Sequence, residues 1–223
     1  LRAEGAEQLL SAFPKAGVLG WMSPWHGGLS PVLTAGGGFP GVLHTQRFEG
    51  RPSRSVDDRG LEWTGVRVSC TPEHEKLRGL RLEVDYLTLG GSPVLKVSVR
   101  VTNLESVVRR VSTGLMAYVQ PGGSREKTIV SSEHGSHKTT PRNSQRHAGR
   151  WGIATNPASG TSIVLSSPSP DVGLFQAGPD GNHLMLFAYP HVPPESSYEV
   201  TGFIALTGTP ETAKGWTALS GLA

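Results

Sequence analysis

"RLEVDYLTLGGSPVLKVSVRVT", Arg81 to Thr102, is the stretch whose reading decides the fold. In its first half Leu82, Val84 and Tyr86 alternate with Arg81, Glu83 and Asp85. In its second half Leu95, Val97, Val99 and Val101 alternate with Lys96, Ser98, Arg100 and Thr102. A period of two puts one set of side chains on a buried face of a strand and the other on a polar face. Between the halves, Gly90 and Gly91 tolerate positive φ, and Pro93 suits the first position of a strand. The stretch reads as an antiparallel hairpin.

Outward from it, strands are expected at Val42–Phe48, Trp63–Ser69, Val107–Val119, Lys127–Ser131, Trp151–Thr155, Thr161–Ser167, His183–Tyr189 and Tyr198–Leu206. Turns such as "PASG", "SPSPD" and "GPDGN" punctuate the later ones. No helical period separates the strands, which excludes a parallel α/β arrangement and predicts an all-β antiparallel sandwich. Two short peripheral helices are expected, one in "AEGAEQLLSAF" and one in "TPETAKGWTALSG". In the second, Thr209 is placed to cap and Pro210 to open the helix. The segment from Ser131 to Gly149 reads as a long polar loop.

The 29 glycines and 17 prolines among 223 residues are spread along the chain, as many turns require. A single sandwich domain over residues 1–223 is expected. The chain begins at Leu1, without an initiator methionine or signal-peptide pattern, and reads as part of a longer chain. No apolar run of about 18 residues predicts a membrane span. The lone cysteine, Cys70, excludes an intrachain disulfide, reads as a half-buried thiol and leaves the compartment open. Net charge is +3, and basic residues gather between Arg125 and Arg150 with no aromatic among them before Trp151. Nucleic-acid surfaces combine stronger basic charge with stacking rings, so no nucleic-acid partner is expected.

Several stretches carry a family likeness: "WMSPWHGGLSP", "LEWTGVRVSC", "LRGLRLEVDYLTLGGSPVLKVSVRVTNLES" with Asn103 closing a long β-run, and "GRWGIATNPASGTSIVLSS". Together they resemble the galactose mutarotase-like β-supersandwiches. That family includes the aldose 1-epimerases, and its fold recurs in polysaccharide-active enzymes. The resemblance implies a large antiparallel supersandwich and a carbohydrate ligand. It also implies, for an epimerase, a histidine acid in a His-Pro context, a glutamate base and an arginine on the sugar. Here the only histidine flanked by proline is His191 in "AYPHVPPE", in the wrong order, so no catalytic residue carries over. If the chain is an enzyme, the resemblance points to an aldose 1-epimerase.

The candidate ligand-binding residues are Trp21, Trp25, His26, Arg47, His134 and Arg142. Indoles and an imidazole offer flat apolar surface and planar donors to a polyhydroxylated ligand, and Gly27–Gly28 allow close backbone approach. The same indoles would serve equally as core. In "LHTQRFEG", His44, Arg47 and Glu49 read as a pocket floor or as a solvated strand face. "EHGSH", with Glu133, His134 and His137, has zinc-like spacing that His147 would complete. In a basic, glycine- and serine-rich loop it is read as no metal site. No cofactor is expected. Glu49, Glu62, Asp171 and Glu195 yield no assignable hydrolase pair, since facing carboxylates must stand about 5 to 10 Å apart. The leading expectation is a carbohydrate-binding or carbohydrate-enzyme accessory domain, partnered by other domains of its parent chain. The alternatives are a non-catalytic structural or interaction domain, and a sugar epimerase.

Overall fold

The protein's structure, a computed structural model, describes residues 2–3, 6–10, 28–35, 43, 45–121, 128–133, 135–138, 145–147, 149–177 and 183–221. Two antiparallel sheets form the sandwich. The nine-stranded sheet runs, in spatial order, β10 (Gly135–Lys138), β9 (Ile129–Ser132), β12 (Trp151–Thr155), β13 (Ser162–Ser166), β17 (Ser197–Thr207), β7 (Val94–Asn103), β6 (Leu80–Leu89), β5 (Glu62–Cys70) and β4 (Glu49–Val56). The eight-stranded sheet is organised on β8 (Arg109–Pro121). That strand pairs with β2 (Ala6–Leu10), β3 (Leu29–Ala35), β15 (His183–Ala188) and β16 (His191–Val192). β1 (Arg2–Ala3) lies beyond β2, while β14 (Gly173–Ala177) and β11 (Gln145–His147) lie beyond β15.

The Arg81–Thr102 hairpin stands as read. Leu82 pairs with Val101 and Val84 with Val99, and all four are buried. Its turn closes on a Ser92 N–H to Leu89 carbonyl bond of 3.0 Å, with Gly91 at φ +74°. The inward row continues into Val97, Val200, Ile204, Leu206, Ile163 and Leu165 and meets Leu33, Val111, Leu115, Ala117, Leu184 and Leu186 of the other sheet. Each valine, leucine and isoleucine of this row contributes about 1.5–3 kcal/mol by leaving water.

A second, smaller core lies on the opposite face of the nine-stranded sheet. There Trp63, Leu87, Val94, Ile153, Val164, Phe203 and Ala205 pack with Ala213 of helix α1 (Pro210–Trp216). The α1 start is the one expected: Thr209 has extended backbone and its hydroxyl accepts from the Thr212 N–H at 3.2 Å.

Asn103 ends β7 in full burial. Its amide donates to the carbonyls of Val107 (2.7 Å), Val192 (3.0 Å) and Pro193 (3.1 Å), and its oxygen accepts from the Glu105 N–H at 3.0 Å. One side chain thus ties the β7–β8 turn to the entry of β17.

Four expectations are corrected. Ala6–Leu10 is a strand, not a helix: Leu10 pairs with Val119 and Gln8 with Pro121, because edge pairing outweighs the modest helix preference of Ala, Glu, Gln and Leu. In the expected strand Val42–Phe48, Val42 and His44 lie outside the described residues, and the described ones are not strand. Leu43 and Thr45 lie in a 3₁₀ turn closed by Gln46 N–H to the Leu43 carbonyl (3.1 Å), and the strand begins at Glu49. That strand, β4, is a mostly exposed edge strand with Pro52 inside it, so it has no alternation to read. The Ser131–Gly149 loop contains β10 and β11, one at the edge of each sheet. The long strand expected from Val107 starts at Arg109, leaving Val107 and Val108 exposed. β3 and β14 were not anticipated; in β3, Val32 and Leu33 are both buried, because both faces of this strand are covered.

Asn103→Ala leaves the buried Val192 carbonyl and the part-buried Val107 and Pro193 carbonyls and Glu105 N–H without this partner. Urea unfolding is expected to show a loss of about 3 kcal/mol, against less than about 1 kcal/mol for Thr102→Ala, whose hydroxyl contact with Ser197 is exposed.

Candidate functional site

The β4–β5 hairpin turn, "DDRGL", builds one wall of a groove. Asp57 N–H donates to the Leu61 carbonyl (3.0 Å), and Gly60 N–H donates to the Asp57 carbonyl (2.9 Å) with Gly60 at φ +77°. This is a type I turn followed by a left-handed glycine, a common hairpin closure. The Asp57 carboxylate accepts from the Arg59 and Leu61 N–H groups and from Trp63 Nε1, each at 3.0 Å. The indole donor, aided by the backbone bonds, holds this carboxyl below its ordinary range against a smaller opposing effect of burial.

Trp63 in turn packs against Phe203, ring centroids 6.0 Å apart and planes tilted by 51°. Lys96, paired in register with Phe203, extends its Nζ to 5.7 Å from the Trp63 ring centroid. Beside these side chains lies a groove of about 420 Å³. Val56, Trp63, Pro168 and Phe203 supply apolar surface, while Asp57, Asp58, Arg59, Lys96 and Thr201 supply polar groups. Gly221 lines it too, at the end of the 3₁₀ turn Thr217–Gly221 that follows α1.

The neighbouring polar row is rigidly tied. Arg67 grips Asp85 with two bonds of 2.8 and 2.6 Å, and Ser53 donates to the same carboxylate at 2.8 Å. Burial pushes the Asp85 carboxyl up, but these donors prevail and hold it below its ordinary range. Ser98 and Thr201 hydroxyls share a 3.0 Å bond across β7 and β17. Such a setting can hold a small ligand by apolar contact and hydrogen bonds. Cys70 lies in the main core, where burial raises its thiol to about 11 and leaves it a poor nucleophile.

Of the sequence-read ligand residues, Trp21, Trp25, His26, His134 and Arg142 lie outside the described residues, as does His44. Arg47 is exposed and stands before β4, whereas the groove begins beyond its far end. Eight strand residues span roughly 23 Å at about 3.3 Å per step, so Arg47 and the groove do not form one small pocket. Glu49 is exposed at the start of β4. His137 pairs with Val130 in one sheet and His147 with Leu174 in the other. Glu133 accepts from the Arg150 N–H at 3.0 Å. Among the described residues no group of three or more His, Cys, Asp or Glu is placed to hold a metal ion. His191 is exposed on β16, opposite Arg110.

The aromatic segment enters the fold at Gly28, whose carbonyl accepts from the Tyr118 N–H at 2.9 Å. Tyr118 pairs with His183, and the next row runs Ser30, Met116, Met185. On this face, away from the main core, Ser30, Met116, Tyr118 and Met185 are all buried. The groove residues Trp63, Lys96 and Phe203 were missed because each reads as an ordinary member of an alternating strand. The only hint was "VDDRGLEW", a turn-forming Asp-Asp-Arg-Gly beside a tryptophan.

No protein-family model and no curated protein matches the chain. Solved structures do. A galactose mutarotase-like protein from Clostridium acetobutylicum superposes with TM-score 0.56 at 11% identity, over 82% of this chain and 80% of that one. A candidate aldose 1-epimerase from Klebsiella pneumoniae reaches 0.64 at 9% identity, over 90% and 68%. A galactose mutarotase related enzyme from Lactobacillus acidophilus gives 0.56 at 9%, over 85% of each chain. The fold is the galactose mutarotase-like sandwich. At such identities the likeness is one of architecture, and the expected resemblance holds at that level.

The bond between Asp57 and Trp63 joins the turn to the indole. Because the folded pKa of Asp57 is depressed, this bond persists above the ordinary carboxylate value of 3.8 and is lost as pH falls through the lower folded value. Tryptophan emission, read as the difference between the native protein and Trp63→Phe, is expected to change with a midpoint below pH 3.8. In Asp57→Asn that step is expected to vanish.

Proposed function

We propose that this chain is a carbohydrate-binding β-sandwich domain, of the kind that accompanies carbohydrate-active enzymes. The observation that carries the proposal is the groove: apolar surface from Val56, Trp63, Pro168 and Phe203 beside donors and acceptors from Asp58, Arg59, Lys96 and Thr201. A sugar ring presents the matching pattern, apolar C–H patches bordered by hydroxyls. The names of the fold neighbours, galactose mutarotase-like and aldose 1-epimerase-like, support a sugar ligand. Binding is favoured over epimerisation because no histidine of the chain has the required sequence context and because, among the described residues, no histidine lines the groove.

Trp21, Trp25 and His26, with His134 and Arg142, stay in the proposal as a second contact set. Arg47 is proposed only as a separate surface contact. A second reading, an interaction domain of a longer chain, draws on exposed Leu104, Val107 and Val108 in the β7–β8 turn.

One glycan array separates these readings, run on the native domain, on Trp25→Ala and on the rim variant Asp58→Ala/Arg59→Ala. The native domain is expected to bind a defined glycan set. The rim variant, altered only at an exposed turn, is expected to lose at least about fivefold in affinity with an unchanged melting temperature. Loss confined to Trp25→Ala would move the site to the aromatic segment. Absence of any bound glycan would overturn the sugar reading and leave the interaction domain in its place.

A further inference from the structure

We infer that the Trp63 groove selects sugars carrying an anionic group, such as the carboxylate of a uronic acid. The inference rests on the carbohydrate-binding reading and adds the ligand's charge. It starts from an asymmetry in how the cations on this face are used. On β5 to β7 the outward-facing cations are Arg67, Arg81, Lys96 and Arg100. Arg67 is paired with Asp85 at 2.6 Å, Arg81 with Glu83 at 3.4 Å and Arg100 with Glu199 at 2.7 Å. Lys96 is the exception: among the described residues no carboxylate lies within ion-pair distance of it, and its ammonium rests near the Trp63 ring. The other cation of the groove, Arg59, also has no ion-pair partner among the described residues.

The two cations therefore border one groove with their donors unspent. The formal charge of the lining is balanced, because Asp57 and Asp58 oppose Arg59 and Lys96. The balance hides a difference in availability. Asp57 keeps its charge and acts on Lys96 through space, but its oxygens point to three N–H donors of the turn and the indole and it forms no ion pair with Lys96, whereas Asp58 is exposed at the turn and screened by water. An incoming anion thus meets one ammonium, resting on the Trp63 ring, and one guanidinium, neither within ion-pair distance of a carboxylate among the described residues. A guanidinium fork suits a carboxylate in particular. The apolar wall, Val56, Pro168 and the aromatic pair, would accept the ring that carries it.

The test uses uronate-containing glycans printed beside their carboxyl-reduced counterparts, which differ only in the charged group. Titration of the best pair then gives affinities. The acid form is expected to bind about five- to tenfold more tightly, as two half-exposed ion pairs would allow. The gap is expected to shrink as salt rises. Lys96→Met keeps an apolar stem over Trp63 and removes the charge; with Arg59→Gln it is expected to close the gap, weakening the acid form about five- to tenfold more than the reduced glycan, which loses only neutral hydrogen bonds. Asp58→Asn is expected to widen it.

Equal binding of acid and reduced forms would overturn the charge selection and leave the sugar groove standing. An acid preference that survives both substitutions would also overturn it, tracing the preference to the general positive charge of the chain. Failure of every glycan to bind would remove the sugar reading and this inference together.

Discussion

Burying Val84, Val97, Val99 and Val101 on one side of β6 and β7 forces Asp85, Lys96, Ser98 and Arg100 onto the other. Strand register admits no compromise here, since a slip of one residue would drive Lys96 and Arg100 into the main core. Both faces of the nine-stranded sheet depend on that constraint. The inner face supplies the sandwich core, and the outer face supplies an ordered row of hydrogen bonds and ion pairs with an aromatic pair at its end. Because the row is locked by Arg67–Asp85 and Ser98–Thr201, the groove beside it is held by strands rather than by a free loop.

The groove itself is a product of convergence. Val56 to Arg59 come from a hairpin turn, Trp63 from β5, Lys96 from β7, Thr201 and Phe203 from β17, Pro168 from the segment after β13, and Gly221 from the end of the chain's helical segment. These positions span some 165 residues of sequence, from Val56 to Gly221. Antiparallel neighbours β5–β6–β7–β17 bring them within reach. The Asp57 carboxylate links the turn to the indole, so the polar rim and the apolar wall are one hydrogen-bonded unit. Cys70 and Asn103, by contrast, serve the interior: one as a small apolar-like group, the other as a buried knot between strand ends.

Legibility followed covering. Strands that keep a largely wet face, such as β6, alternate and are legible to within two residues of their bounds. Strands covered on both faces, such as β3, do not alternate. Strands wet on both faces, such as β4, do not either, and β4 was misplaced toward the more apolar Val42–Phe48. Ala6–Leu10 has the composition of a helix and is a strand because β8 offers it an edge. Asn103 was legible as the close of a β-run, while its three carbonyl partners were not, since two of them lie about 90 residues away.

The sequence by itself determined the fold class, the central hairpin and the capped C-terminal helix, because alternation, turn residues and caps are local properties of a chain. It also flagged aromatic and histidine-rich stretches without saying which surface each would join. Only the tertiary structure decided that Trp63, Phe203 and Lys96 border one groove, that Asp57 is bound to the indole, and that Lys96, among the described residues, lacks the carboxylate its neighbouring arginines have. Those are facts of strand order and cross-strand register, and they arise only when segments far apart in the chain are paired.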